Sequence, residues 1–185
     1  GQAAQTVALL NLAENGGHVG LSTALYGGPY NQLHYTFPKL GIEVTFVDPD
    51  DLAAWKAAIR PNTKAFYGES IGNPKGDIFD FEAVSKIAHD NGIPLVVDNT
   101  LASPYLIQPL RHGVDIVVHS ATKFIGGHGP SIGGVIVAGR SFDYVASGPV
   151  PGFPWPAPGP PRPRVPPPPG PPRPAPDPLR APPPR

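Results

Sequence analysis

His119-Ser120-Ala121-Thr122-Lys123-Phe124-Ile125-Gly126-Gly127-His128-Gly129 follows directly on the apolar run 115–118. A β-branched run that breaks into small hydroxyl residues and then a glycine cluster reads as a buried strand ending in a tight loop. About twenty residues earlier Pro94-Leu95-Val96-Val97 ends in Asp98-Asn99-Thr100, a second strand of the same kind closed by a carboxylate. Working outward, such runs alternate with helix-like segments through residues 1–140, the βαβ pattern of a mainly parallel sheet covered by helices on both faces. The pattern predicts strands at 18–22, 43–47, 64–69, 95–98, 116–119 and 134–137. It predicts helices at 3–14, 30–40, 51–59 and 81–91, and a short one at 106–110. Asp50 or Asp51 is placed to cap the helix containing Trp55, Asp80 to cap the next, and Asn91-Gly92 before Pro94 to end it.

In open sheets of this class ligands bind beyond the carboxyl ends of the strands, where Glu69, Asp98 and the 119–123 segment all fall. A lysine after a strand is ordinarily a solvated charge. Between hydroxyls that can take a phosphate and glycines that let a ligand approach the backbone, Lys123 has the setting of an amine that holds a carbonyl cofactor. Pyridoxal phosphate fits both ends of the arrangement: Lys123 is the candidate Schiff-base residue, and Asp98 the candidate partner of the pyridine nitrogen, where a carboxylate favours the protonated, electron-accepting ring. A strand-end aspartate can also simply cap the following turn. His119 and His128 are nine residues apart across a glycine loop, with no third ligand indicated, so structural roles are expected and no metal site.

Ser120-Ala121-Thr122-Lys123, Asp98-Asn99-Thr100, Tyr26-Gly27-Gly28 and Glu69-Ser70-Ile71-Gly72-Asn73-Pro74 together resemble the Cys/Met-metabolism family of pyridoxal-phosphate enzymes. The resemblance covers about residues 1–147 and is greatest to the O-acetylhomoserine sulfhydrylase branch, whose lysine motif ends in Gly-Gly-His-Gly and whose Tyr-Gly-Gly is followed by Tyr-Asn. It implies a fold type I large domain, here incomplete, and a set of roles. Tyr26 would stack on the cofactor ring and stand close to the substrate, where Tyr-Gly-Gly alone would be a turn. Gly1 and Gln2 would offer backbone N–H groups at a helix start to the phosphate, Ser120 and Thr122 would add hydroxyls, and Asn73 would sit near the phenolic oxygen, where Asn-Pro alone would again be a turn.

Some positions depart from the family pattern. Pro29 replaces the usual Thr or Ser, Phe124 an aromatic of another kind, and Asn31 an arginine of the cystathionine lyase branch, which favours the sulfhydrylase branch. The implied reaction is γ-replacement: acetate leaves O-acetylhomoserine and sulfide or a thiol takes its place, giving homocysteine or methionine. The alternative within the class is cystathionine γ-synthase or methionine γ-lyase chemistry. Relatives are typically homotetramers with sites shared between subunits. They also use an N-terminal Tyr and Arg on the neighbour's phosphate and a C-terminal Arg on the substrate carboxylate, so the 185-residue chain is expected to be weakly active or inactive.

Composition divides the chain. Of 29 prolines, twenty lie after Gly148, and the segment 148–185 uses only nine residue types with no apolar period. A disordered, partly polyproline II tail is expected there, beside a partial cofactor-binding domain at 1–147. Five of the 14 Lys and Arg fall in the tail but only one of the 14 Asp and Glu, so the body is mildly acidic and no nucleic-acid partner is expected. With no cysteine, a thiol nucleophile and a thiolate metal site are excluded, and no apolar run is long enough to span a membrane. The expectation is a cytoplasmic protein. The missing methionine and the helical opening suggest an internal fragment, and the abrupt Pro-Arg-Ala-Gly tail suggests a frameshift in GC-rich DNA. A reading of another class is a proline-rich interaction segment, since Pro168-Pro169-Gly170-Pro171-Pro172-Arg173 meets a minimal P-x-x-P-x-R pattern for SH3-like grooves.

Overall fold

Six β-branched runs become the strands β1 (His18–Ser22), β2 (Glu43–Val47), β3 (Thr63–Glu69), β4 (Leu95–Asp98), β5 (Ile116–Ser120) and β6 (Gly134–Ala138). The computed structural model describes residues 1–144. The expected tail, and the boundary placed after residue 147, lie outside the described residues.

The strands form one sheet in the order β2-β1-β3-β4-β5-β6, parallel from β2 to β5, with β6 antiparallel on the edge. The fold class is therefore as expected. Period-two alternation of the central strands sorts the core into two layers. Val96 and Val118 pack with Leu9, Leu12, Leu33 and Phe37 on one face, and Val97 and Val117 with Trp55, Val84, Ile87 and Ala88 on the other. Trp55 is fully buried, its ring 4.9 Å from Phe66 and 5.8 Å from Phe79. At the amino end of β1, His18 sits between the Thr63 and Thr45 hydroxyls, 2.9 Å from each, and burial lowers it to about 4. It is therefore neutral near pH 7, where one ring nitrogen donates to a hydroxyl and the other accepts from one.

Helices α1 (Gln2–Leu10), α2 (Gly27–Asn31), α3 (Leu52–Ala57), α4 (Phe81–His89) and α5 (Ser103–Leu106) cover the sheet. Asp51 caps α3 through the Ala54 N–H at 2.9 Å, Asp80 caps α4 through the Ala83 N–H at 2.9 Å, and Gly92 turns the chain with φ of 66°.

Three predicted helices differ. The first stops at Leu10, not Glu14: the Asn11 amide donates to the Val7 carbonyl at 2.7 Å, and Leu12 bonds Leu9 in a tighter turn. The segment expected as one helix over 30–40 is α2, a π-helical turn (Gln32–Thr36) and a 3₁₀ turn (Pro38–Leu40). Pro38 has no N–H to give the preceding turn, and Phe37 reaches back to Gln32 instead. The helix expected at 106–110 is split into α5 and a 3₁₀ turn (Pro109–His112), because Pro109 keeps Gln108 out of the helical region, at φ −116° and ψ 87°. No helix among the described residues is long and apolar enough to cross a membrane.

Candidate active site

The chain leaves β1 for β2 on one side and returns to β3 on the other, opening a crevice at the carboxyl ends of the strands. There a cavity of about 460 Å³ is lined by Gly1, Gln2, Tyr26, Glu69, Asn73, Asp98, Thr100, Ser120, Thr122 and Lys123 among others. All eight residues singled out as site candidates (Lys123, Tyr26, Asp98, Ser120, Thr122, Gly1, Gln2 and Asn73) meet in it.

Asp98 closes β4 and is positioned by Thr100. Its Oδ1 accepts the Thr100 N–H at 2.8 Å and the Thr100 hydroxyl, while Thr100 Oγ1 accepts the Ser120 N–H at 2.7 Å. The capping role and the ligand-facing role thus coexist: Oδ1 holds the turn, and Oδ2 is the oxygen available to the cavity. Burial raises the Asp98 carboxyl, opposed by the Thr100 hydrogen bonds and by His119. Beside it in register, on β3, stands Glu69. Burial pushes Glu69 up to about 8, against the hydrogen bond it accepts from Tyr26 N–H. Glu69 thus holds its proton near neutral pH beside the Asp98 carboxyl.

Donors make up another part of the cavity lining. Helix α1 follows Gly1, whose carbonyl accepts the first internal bond from Gln5 N–H; the Gly1 amine is bonded to the Gly133 carbonyl at 3.0 Å, so the N–H groups left for an anion are those of the first turn from Gln2 on. Gly1 lies so close to Ser120 that a Cβ there would stand 2.5 Å from Ser120 Cβ, which reserves the position for glycine. Thr122 lines the same cavity with its hydroxyl shared with Gly133, accepting its N–H at 3.0 Å and donating to its carbonyl at 3.3 Å. A ligand oxygen would compete for that hydrogen.

Lys123 lines the same cavity, on a loop pinned by Lys123 N–H to the Ser120 carbonyl at 3.1 Å and Gly127 N–H to the Lys123 carbonyl at 2.8 Å. Lys123 and the following glycine loop are exposed, whereas an amine that forms a Schiff base is favoured by partial desolvation. Tyr26 forms one wall, its ring above Gly28, where a Cβ would come within 3.3 Å of it.

Sequence reasoning missed two contacts. Thr100 was legible as part of the triplet but not as the tie between Asp98 and Ser120, although a threonine two residues after an aspartate is a common turn partner. Glu69's bond to Tyr26, 43 positions away, left no local signal.

A carboxyl, an exposed amine, N–H groups, hydroxyls and an aromatic wall lining one cavity together match pyridoxal phosphate. The volume falls within the roughly 300–1,000 Å³ usual for small-ligand sites. Fold and site define a pyridoxal-phosphate enzyme built on a doubly covered, mainly parallel sheet. Residues 1–147 match the model of the Cys/Met metabolism PLP-dependent enzymes, and the chain belongs to that family.

Among individual relatives, the O-acetyl-L-homoserine sulfhydrylase of Leptospira meyeri is 58% identical over 144 residues, which is 78% of this chain and 33% of that protein. The Corynebacterium glutamicum O-acetyl-L-homoserine sulfhydrylase is 50% identical over 145 residues, 78% of this chain and 33% of its own length. A crystal structure from Campylobacter jejuni, assigned as an O-acetylhomoserine (thiol)-lyase and holding an N'-pyridoxyl-lysine-5'-monophosphate, superposes with a TM-score of 0.75. It is 40% identical over 76% of this chain and 35% of that one. The chain spans about a third of the length of the relatives it matches.

Proposed function

We propose that the protein of which this chain is the cofactor-binding part replaces the acetoxy group of O-acetylhomoserine with sulfide or a thiol, the bond from the γ carbon to oxygen giving way to one to sulfur, so that homocysteine or methionine forms and acetate leaves. The observation that carries it is the meeting of Lys123, Asp98, Tyr26 and the Gly1–Ser120 cradle in one crevice of a chain whose sulfhydrylase relatives are 50% and 58% identical to it. Pyridoxal phosphate, when bound, supplies a carbonyl for the substrate amine and a ring that takes up the electrons of the α carbon.

The residues divide the work by position. Asp98 would hold the proton of the ring nitrogen, and the N–H groups at the start of α1 with the Ser120 and Thr122 hydroxyls would hold the phosphate. Asn73 would take the phenolic oxygen and Tyr26 would supply the aromatic wall. Lys123 would hold the cofactor carbonyl and, as a free amine, would be the base that moves protons at the α and β carbons so that acetate can leave from the γ carbon.

Among the described residues Lys123 is the one cationic side chain lining the cavity. It is committed to the cofactor, so the substrate carboxylate lacks a bidentate partner here and orientation suffers. The chain alone is therefore a slow enzyme, and we propose that full activity belongs to a cytoplasmic homotetramer. Incubating the cofactor-loaded chain with O-acetylhomoserine and assaying thiol products tests this: sulfide-dependent homocysteine at a small fraction of an intact relative's rate is expected. Cystathionine from cysteine, or methanethiol from methionine, in its place would move the assignment to the γ-synthase or γ-lyase branch, and turnover matching an intact relative would contradict the slow-enzyme reading.

A further inference from the structure

Tyr26 owes little of its position to side-chain packing. Its ring is 55% exposed, and the residue beneath it is Gly28, which offers no side chain to grip. What ties the residue down is its backbone: Tyr26 stands at the start of α2 in an extended conformation, φ −58° and ψ 147°, and its N–H donates to Glu69 Oε1 at 2.8 Å. Glu69 ends β3, a strand flanked by β1 and β4, and is only 8% exposed, so its carboxyl has little room to swing. The bond spans the crevice from the end of β3 to the turn after β1.

On the cofactor reading above, we propose that Glu69 is a positioning residue: by holding the Tyr26 backbone it sets the aromatic wall against which the cofactor ring lies. The acceptor works without a full charge. A protonated carboxyl retains its carbonyl oxygen as acceptor, and so Glu69 holds Tyr26 without placing its own charge beside Asp98. The account separates the acceptor atom from the charge. Glutamine should serve, leucine should not, and aspartate, one methylene shorter, should fall short of Tyr26.

Two readouts on the 185-residue chain test this. The first is hydrogen exchange without cofactor. The Tyr26 amide should exchange at least about tenfold faster in Glu69→Leu than in the wild type and Glu69→Gln, with the Ser70 amide, bonded to the Asp98 carbonyl at 2.9 Å, unchanged. The second is pyridoxal phosphate affinity from visible absorbance. Glu69→Leu should weaken binding about tenfold and Glu69→Gln less than about twofold, and in a Tyr26→Ala background the leucine effect should shrink below about twofold. An equal loss in both backgrounds would mean Glu69 acts on the cofactor by some other route, and unaltered Tyr26 exchange would remove the anchor; either overturns the proposal. If Glu69→Leu does not fold, Glu69→Asp takes its place with the same predicted directions. Failure of the wild-type chain to bind any cofactor would count against the cofactor reading and the wall's role together, while the exchange result would still decide the anchor.

Discussion

Two buried ionisable side chains at opposite ends of the sheet make the molecule respond to pH in opposite directions. Glu69 is raised to about 8, so the folded state holds a proton that the unfolded chain has lost above about 4.5. The stability it contributes is complete below that value and disappears as pH rises through 8. His18 is lowered to about 4, so its contribution is complete above about 6.5 and disappears as pH falls through 4. Thermal melts should show Glu69→Gln, which cannot titrate, gaining on the wild type steadily from pH 5 to about pH 8. A constant difference across that range would mean that Glu69 is not held neutral. Residue types and their order made Lys123, Asp98, Ser120 and Tyr26 legible as candidates, because each chemistry demands a recognisable neighbour. The carboxyl pair was less legible, because Glu69 meets Asp98 only through strand register and Tyr26 only through the crevice.

At the scale of elements, the strands were readable because β-branched runs bounded by Gly, Asn, Asp and Pro have few alternatives, and observed and predicted strands differ by one residue at most. Helices with an aspartate cap start within one residue of the prediction, though each ends two residues short of it. Misreadings cluster at Pro38 and Pro109 and at Asn11, where one missing N–H or one side-chain amide redirects the backbone, a contest that periodicity does not register. The packing layer that holds α3 and α4 to the sheet centres on Trp55. Trp55→Ala should cost about 3–5 kcal/mol, measured by denaturant unfolding, and should loosen β3 through Phe66. Asp80→Ala removes one cap at the start of α4 and should cost about 1 kcal/mol. A loss below about 1 kcal/mol for Trp55→Ala would mean that this layer is not the supporting core described.

Across the described molecule, one edge differs from the rest. Every residue of β6 is exposed, including Val135, Ile136 and Val137, and Phe124 and Ile132 on the preceding loop are exposed as well. An apolar edge strand with unpaired backbone groups is a template for association. Sedimentation at increasing concentration should show the chain self-associating, and Val137→Lys should shift the distribution toward monomer. Unchanged sedimentation of that variant would place the contact elsewhere. The exposure also bears on chemistry: the loop carrying Lys123 precedes this open edge, and its amine is exposed with it.

The central claim is that this crevice holds pyridoxal phosphate through Lys123, and the most direct measurement is the absorbance spectrum of the chain with cofactor before and after borohydride, beside Lys123→Ala. The account predicts a visible band that reduction removes while fixing the cofactor covalently to Lys123, with no such band or adduct in the variant. A band of equal strength in Lys123→Ala, or reductive labelling at another lysine, would contradict it.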